Sequence, residues 1–285
     1  VAVEALYAFG TLAVEAAGAD RRDLLRVSGP DLGAMLGVSD PALRLAAVRV
    51  IGRLLAPRPL DEAVDERAAD AVITVLNDKE ADIRVAAMEA LGALRYQRAV
   101  QALTDLVRFY SRGSAAEAAL DALARIAHES SAPLFTAQLA GRNATLKAIA
   151  VEGLARLGSR GNADAIQGAL SGERNEAVLA ASRFAAVLLS NGSIDPIVDD
   201  LRRAKLHDRA LDYLIEIARG RTALFTRAVQ DPDARIRVGV VDALGLSADE
   251  AALPLVEPLA RDADPQVSRA AARAVARLRA GSRVS

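Results

Sequence analysis

The 285-residue chain contains no cysteine and no tryptophan, and only two histidines, two methionines, four tyrosines and five phenylalanines. Without cysteine there is no disulfide framework, no thiolate metal site and no Cys nucleophile. That fits the cytosol and is compatible with the periplasm. Two imidazoles, His128 and His207, are too few for a His-rich metal site. No cofactor, metal site or catalytic residue is expected from residue type. Charge of one sign is also missing: 36 Lys+Arg stand against 37 Asp+Glu, a net charge of −1. No whole-molecule field therefore draws in nucleic acid or an anionic membrane. No apolar run approaches the ~18 residues of a membrane helix, and no signal-peptide pattern is visible. The chain starts at Val1, inside what reads as a repeat, so a longer product is expected.

What is present is Ala, Leu and Val, which dominate an apolar fraction of 52%. These residues suit closely packed helices, because Ala and Leu are strong helix formers and Ala lets backbones approach. The chain also repeats itself. Ile83-Arg84 leads to Ala90-Leu91-Gly92, and Ile236-Arg237 to Ala243-Leu244-Gly245. Equivalent anchors fall at Gly10, Gly52, Gly92, Ala124, Ala155, Ala186, near Ile217, Gly245 and Ala276. The first two spacings are 42 and 40, and the rest are 28 to 32. Each anchor closes an amphipathic helix, as in Leu43, Ala47, Val50, Ile51, Leu54 and in Ile83, Ala87, Ala90, Leu91, Leu94. Steps of 4, 3, 1 and 3 trace one helical face. A second apolar run precedes each, such as Ala71 to Leu76 or Leu253 to Ala260, so the unit is helix, turn, helix.

The turn recurs too, with Asp40, Glu80, Asn143, Asp233 and Asp264 four residues before a basic or equivalent position and Pro41 and Pro265 following. This is N-cap chemistry with proline at the first helical position. Arg44, Arg84, Lys147 and Arg237 are expected to bond the turn of the neighbouring unit, as an inter-repeat ladder. Ala116, Val178 and Ser268 stand where that ladder would have arginine, and the unit around Arg209 to Gly220 keeps poor register.

The pattern Asp-Pro-x-x-(Val/Leu/Ile)-Arg-x-x-Ala-x-x-Ala-Leu-Gly resembles the HEAT-repeat family, in the short variety of about 31 residues also found in phycobilin lyases. The resemblance implies an all-α, right-handed α-solenoid (α-α superhelix) of about eight HEAT-like hairpins. It leaves function open, because the family holds lyases, repair glycosylases, hydroxylases and scaffolds. HEAT-type hydroxylases use several His-Glu pairs, and His128-Glu129 is the sole one here. Glycosylases of similar architecture look basic and hold bases against aromatic residues, often Trp; this chain matches neither feature.

One repeat array over residues 1–285 is expected. Residues 1–60 would be irregular, with insertions at 18–30 and 56–60; residues 61–280 would be regular, with a frayed tail at 281–285. Val1 to Leu12 reads as a second helix without its first, which predicts an exposed apolar flank unless a preceding segment caps it, and an open end available for self-association.

Function is then sought on surfaces. Positions three before and one after each anchor form a ridge on the second helices: Tyr7, Thr11, Arg49, Arg53, Glu89, Asp121, Arg125, Glu152, Arg156, Arg183, Asp242, Arg273 and Arg277. Asp121/Arg125 and Glu152/Arg156 also read as i,i+4 pairs within their helices. Positions seven and six before the anchor, Leu45, Val85, Ile149, Leu179 and Val238, are the candidate apolar groove for an amphipathic helix or extended peptide. Arg261, Arg269, Arg273, Arg277, Arg279 and Arg283 make a basic cluster opposed by Asp262 and Asp264. The favoured reading is a non-enzymatic scaffold or adaptor that binds a protein or peptide on its concave second-helix face. Nucleic-acid binding through the arginine cluster is the alternative, and a bilin-lyase-like enzyme comes third.

Overall fold

The computed structural model describes residues 1–15, 28–54 and 66–282. Among them every regular element is an α- or 3-10 helix, and no strand occurs. The helices gather into two compact units, Val1–Leu157 and Gly158–Ser285.

In the first unit, α1 (Ala2–Glu15), α2 (28–34), α3 (Pro41–Leu54), α4 (Glu66–Thr74) and α5 (Ala81–Ala93) are followed by α6 (Val100–Tyr110), α7 (Ser114–Ile126), α8 (Ala132–Leu139) and α9 (Ala144–Leu157). The odd-numbered helices are the second helices read from the sequence. They stack directly on one another, α1 on α3, α3 on α5, α5 on α7 and α7 on α9, while α4, α6 and α8 pack on their own partners α5, α7 and α9. The stacking needs small residues. A Cβ on Gly92 would lie 2.7 Å from the Cα of Ala122, so α5 and α7 approach to a distance only glycine allows there. Ile51, Ile83, Leu91, Leu120 and Leu123, all essentially unexposed, fill the layers between, each contributing roughly 1.5–3 kcal/mol of burial. Phe135 of α8 occupies the space left by Gly153 of α9, where a Cβ would come 2.6 Å from its ring.

In the second unit, α10 (Arg160–Ala169), α11 (Glu176–Ser190), α12 (Asp195–Asp200), α13 (His207–Ala218), α14 (Ala234–Leu246), α15 (Leu253–Val256) and α16 (Pro265–Ser282) follow. The second helices α11, α13, α14 and α16 again contact in succession. Phe184 of α11 stacks on Tyr213 of α13 with ring centroids 4.4 Å apart and 14° between planes. The first helices are reduced. Residues Thr222–Phe225 and Ala228–Gln230 form two 3-10 turns in place of an α-helix, and α15 runs into the 3-10 segment Glu257–Arg261. Pro258 explains the latter, since it lacks an N–H to continue the α-helical ladder and its ring clashes with a carbonyl one turn back. Pro254 sits in the first turn of α15, where proline is tolerated. The apolar face survives the change, with Phe225, Val229 and Val256 buried.

Asp40, Asn143, Asp233 and Asp264 cap their helices, each accepting the N–H two residues on at 2.8–2.9 Å. Asn175 does the same for α11. Glu80 departs from the expectation: its side chain makes no cap bond. The turn before it nevertheless keeps its form: Asp78 accepts the Glu80 N–H at 3.0 Å, as Asp231 and Asp262 accept from Asp233 and Asp264. Only the cap itself is missing, since Glu is not among the favoured N-cap residues. The helical run of α16 continues through Gly281 to Ser282. The insertion at 56–60, most of that at 18–30 and Arg283 lie outside the described residues.

Candidate partner-binding face

The ladder arginines show how neighbouring repeats are tied. Arg44 donates from Nη1 to the carbonyls of Val38 and Ser39, closing its own turn, and from Nε and Nη2 to both carboxylate oxygens of Asp78 at 2.8 and 3.0 Å. Arg237 repeats the arrangement, with Nη1 on the carbonyls of Asp231 and Pro232 and the Nε–Nη2 edge on Asp262 at 2.9 and 2.8 Å. These forks hold the carboxyls of Asp78 and Asp262 below the ordinary carboxylate range, as a charge-assisted bidentate pair should. The acceptors were missed in the sequence reading. Their signal is an aspartate three residues before a second helix, at Asp78 and Asp262; Asp231, at the same offset, accepts from Arg202 at 2.9 and 3.0 Å.

The predicted ridge divides between the units. In the first unit, Arg49, Arg53 and Glu89 are exposed and Tyr7 is half-buried. Together they surround one open depression of about 320 Å³ whose floor is Gly52, Ala86, Ala90 and Ala93. Arg49 donates to the Tyr7 hydroxyl at 3.3 Å. Further along, Arg125 pairs with Asp121 at 2.7 Å. Glu152 is buried rather than exposed; Arg156, 3.5 Å away, covers it, so the charge goes inward as an ion pair. In the second unit, Arg183 is bound to the buried Asp200, and Asp242 faces Arg273 at 3.8 Å. Burial pushes the Asp242 carboxyl up, against the pull of Arg273 and Arg277.

The predicted groove residues Leu45, Val85, Leu179 and Val238 are half-buried, and Ile149 is buried. The difference is one residue of register. Ile149 stands six before its anchor, the position of Ala46, Ala86 and Ala180, all in the core; the other four stand seven before, about 100° round the helix.

The basic cluster is partly neutralised. Arg279 pairs with Glu257 at 2.8 Å, Arg273 with Asp242, and Arg269 donates to the Pro265 carbonyl. His128 accepts the Ser130 N–H and caps a 3-10 turn, and His207 lies 3.1 Å from Asp208. Among the described residues no group of His, Cys, Asp and Glu is arranged to hold a metal, and no helix is long and apolar enough to cross a membrane.

A pattern for HEAT repeats matches residues 29–124 and 221–284. No curated protein sequence matches. Among solved structures, the complex of CpcE and CpcF of phycocyanin lyase from Nostoc sp. PCC7120 is similar at 20% identity, with TM-score 0.58, 88% of this chain and 94% of that one covered. Human deoxyhypusine hydroxylase in complex with glycerol matches at 14% identity and TM-score 0.41, with 90% and 98% covered.

Proposed function

The chain belongs to the HEAT-repeat family, and from that premise we propose that it is a non-enzymatic scaffold that binds a protein or peptide on its second-helix face. The observation that carries this reading is the depression on α1, α3 and α5, where Tyr7, Arg49, Arg53 and Glu89 rim a floor of small residues. A small apolar floor inside a charged rim suits a side chain anchored from a partner, with the rim setting orientation and charge preference. At about 320 Å³ the space is at the lower end of the roughly 300–1,000 Å³ of small-molecule sites, and it lies open to solvent where such sites enclose most of their ligand. The activity named for the Nostoc complex is not carried over, because at 20% identity only the fold is common.

The test is affinity purification from source-cell lysate with nuclease present, comparing the wild type with an Arg49→Glu, Arg53→Glu double variant. A discrete protein retained by the wild type through a raised-salt wash and lost from the variant is the expected result. Equal retention by both, or material that vanishes with nuclease, would sink the reading.

A further inference from the structure

Arg44, Arg84 and Arg237 occupy one position in three repeats, and each closes its own turn through Nη1. For Arg84 the acceptors are the carbonyls of Asp78 and Lys79, at 2.7 and 3.0 Å. The other two arginines then place a carboxylate on the Nε–Nη2 edge. Arg84 does not, because the residue three before α7 is Ser111 rather than aspartate. Its Nε donates instead to the Tyr110 hydroxyl oxygen at 3.2 Å. Nη2 is left over, and Arg84 forms no ion pair among the described residues.

This unfilled edge opens into a cavity of about 640 Å³ lined by Ile73, Leu76, Leu106, Phe109 and Tyr110. Phe109 is 79% exposed and stands edge-on to Tyr110, ring centroids 5.1 Å apart. Two aspartates also border the space, and both are engaged. Asp78 is held by Arg44 and the Glu80 N–H; Asp105 accepts from Gln101 at 3.0 and 3.1 Å and lies 3.7 Å from Arg108. Asp78 feels Arg84 through space but is bonded to Arg44, so Arg84 keeps a guanidinium edge with no bonded carboxylate, beside an exposed ring.

We infer that this cavity binds an acidic segment of a partner protein. An Asp or Glu carboxylate bridges Arg84 Nη2 and the Tyr110 O–H, and an adjacent apolar side chain lies on Phe109. The two intact rungs show which group this guanidinium edge takes, and the cavity supplies the apolar contact that makes a carboxylate–arginine bond selective for a peptide over a free anion. The site is formed by α4, α6, the turns beside them and Arg84 at the start of α5, and it shares no residue with the depression around Arg49, on which it does not depend.

The experiment is selection of phage-displayed random dodecapeptides on the full chain, followed by anisotropy titration of the selected peptides. Enrichment of Asp or Glu beside an apolar residue is expected. Phe109→Ser should weaken binding about tenfold with an unchanged thermal melt, since its side chain supports little of the fold. Changing the peptide's acid to its amide should cost as much on the wild type and nothing on Arg84→Gln. If Arg84→Gln unfolds through loss of its turn bonds, Phe109→Ser carries the test. Peptides without an acidic residue, or binding indifferent to Phe109→Ser, would overturn the inference, as would displacement by millimolar inorganic phosphate. Peptides lost with Arg49→Glu, Arg53→Glu but retained by Phe109→Ser would overturn it while leaving the second-helix face standing.

Discussion

Asp78 and Asp262 accept a full guanidinium edge and a backbone N–H each, so their ionised forms belong to the folded state. Their carboxyls titrate below the ordinary value, and the stability they supply is complete above the unfolded aspartate pKa of about 3.9. It is lost as pH falls through the lowered folded value. Asp242 has the opposite sign. Burial raises its pKa, so ionisation costs stability at neutral pH, and that cost is relieved as pH falls through the raised value. Replacing Asp242 by Asn is therefore expected to raise the melting temperature at pH 7, with the advantage vanishing below about pH 4. Asp262→Asn should lower it at pH 7 and lose that effect in the same acid range. Thermal melts from pH 3 to pH 7 check both, and parallel curves for the two variants would show that neither carboxyl responds as its surroundings dictate. Ser111 marks the one rung of this kind without its acid. A rule that arginines bond the next turn was legible in the sequence; that the acceptor lies three residues ahead of the helix was not, because capping residues stood closer and drew the assignment.

At the scale of the element, second helices were readable and first helices less so, for a physical reason. A second helix is packed by both neighbours, so its apolar stripe and its small anchor are fixed by local 3.6-residue periodicity, as in α5 and α14. A first helix packs mainly on its own partner. It can shorten to 3-10 turns, as at 222–230, without exposing Phe225 or Val229. The groove prediction failed at Ile149 through a shift of a single residue, which periodicity fixes only as well as the anchor is placed. Two helical glycines separate close packing from helix propensity. Gly92→Ala forces a methyl onto the Cα of Ala122 and is expected to destabilise by about 1–3 kcal/mol. Gly168 of α10 is exposed and an added Cβ would meet nothing within 4 Å, so Gly168→Ala should stabilise by about 0.5–1 kcal/mol. Urea titrations of the two variants decide the matter; the same sign for both would mean that α5 and α7 do not approach as closely as the glycine implies.

For the whole molecule, net charge is −1, so a partner read by charge would have to meet a local patch, and the proposed function assigns that part to the rim around Arg49. Its stability should be local too. A repeat array holds together through contacts between neighbours, so a defect is felt by the adjacent repeats and fades beyond them. Gly92 lies where α5 meets α7, and α5 also packs on α3. Gly245 belongs to α14, where an added Cβ would come 2.6 Å from the Ala274 Cβ of α16. Amide hydrogen exchange should therefore show Gly92→Ala loosening α3, α5 and α7 and leaving α14 and α16 at wild-type protection. Gly245→Ala should do the reverse, loosening α13, α14 and α16 alone. Protection lost evenly through Val1–Leu157 and Gly158–Ser285 in either variant would instead mean that the chain opens as one cooperative body, and that nearest-neighbour packing is not what sets its stability.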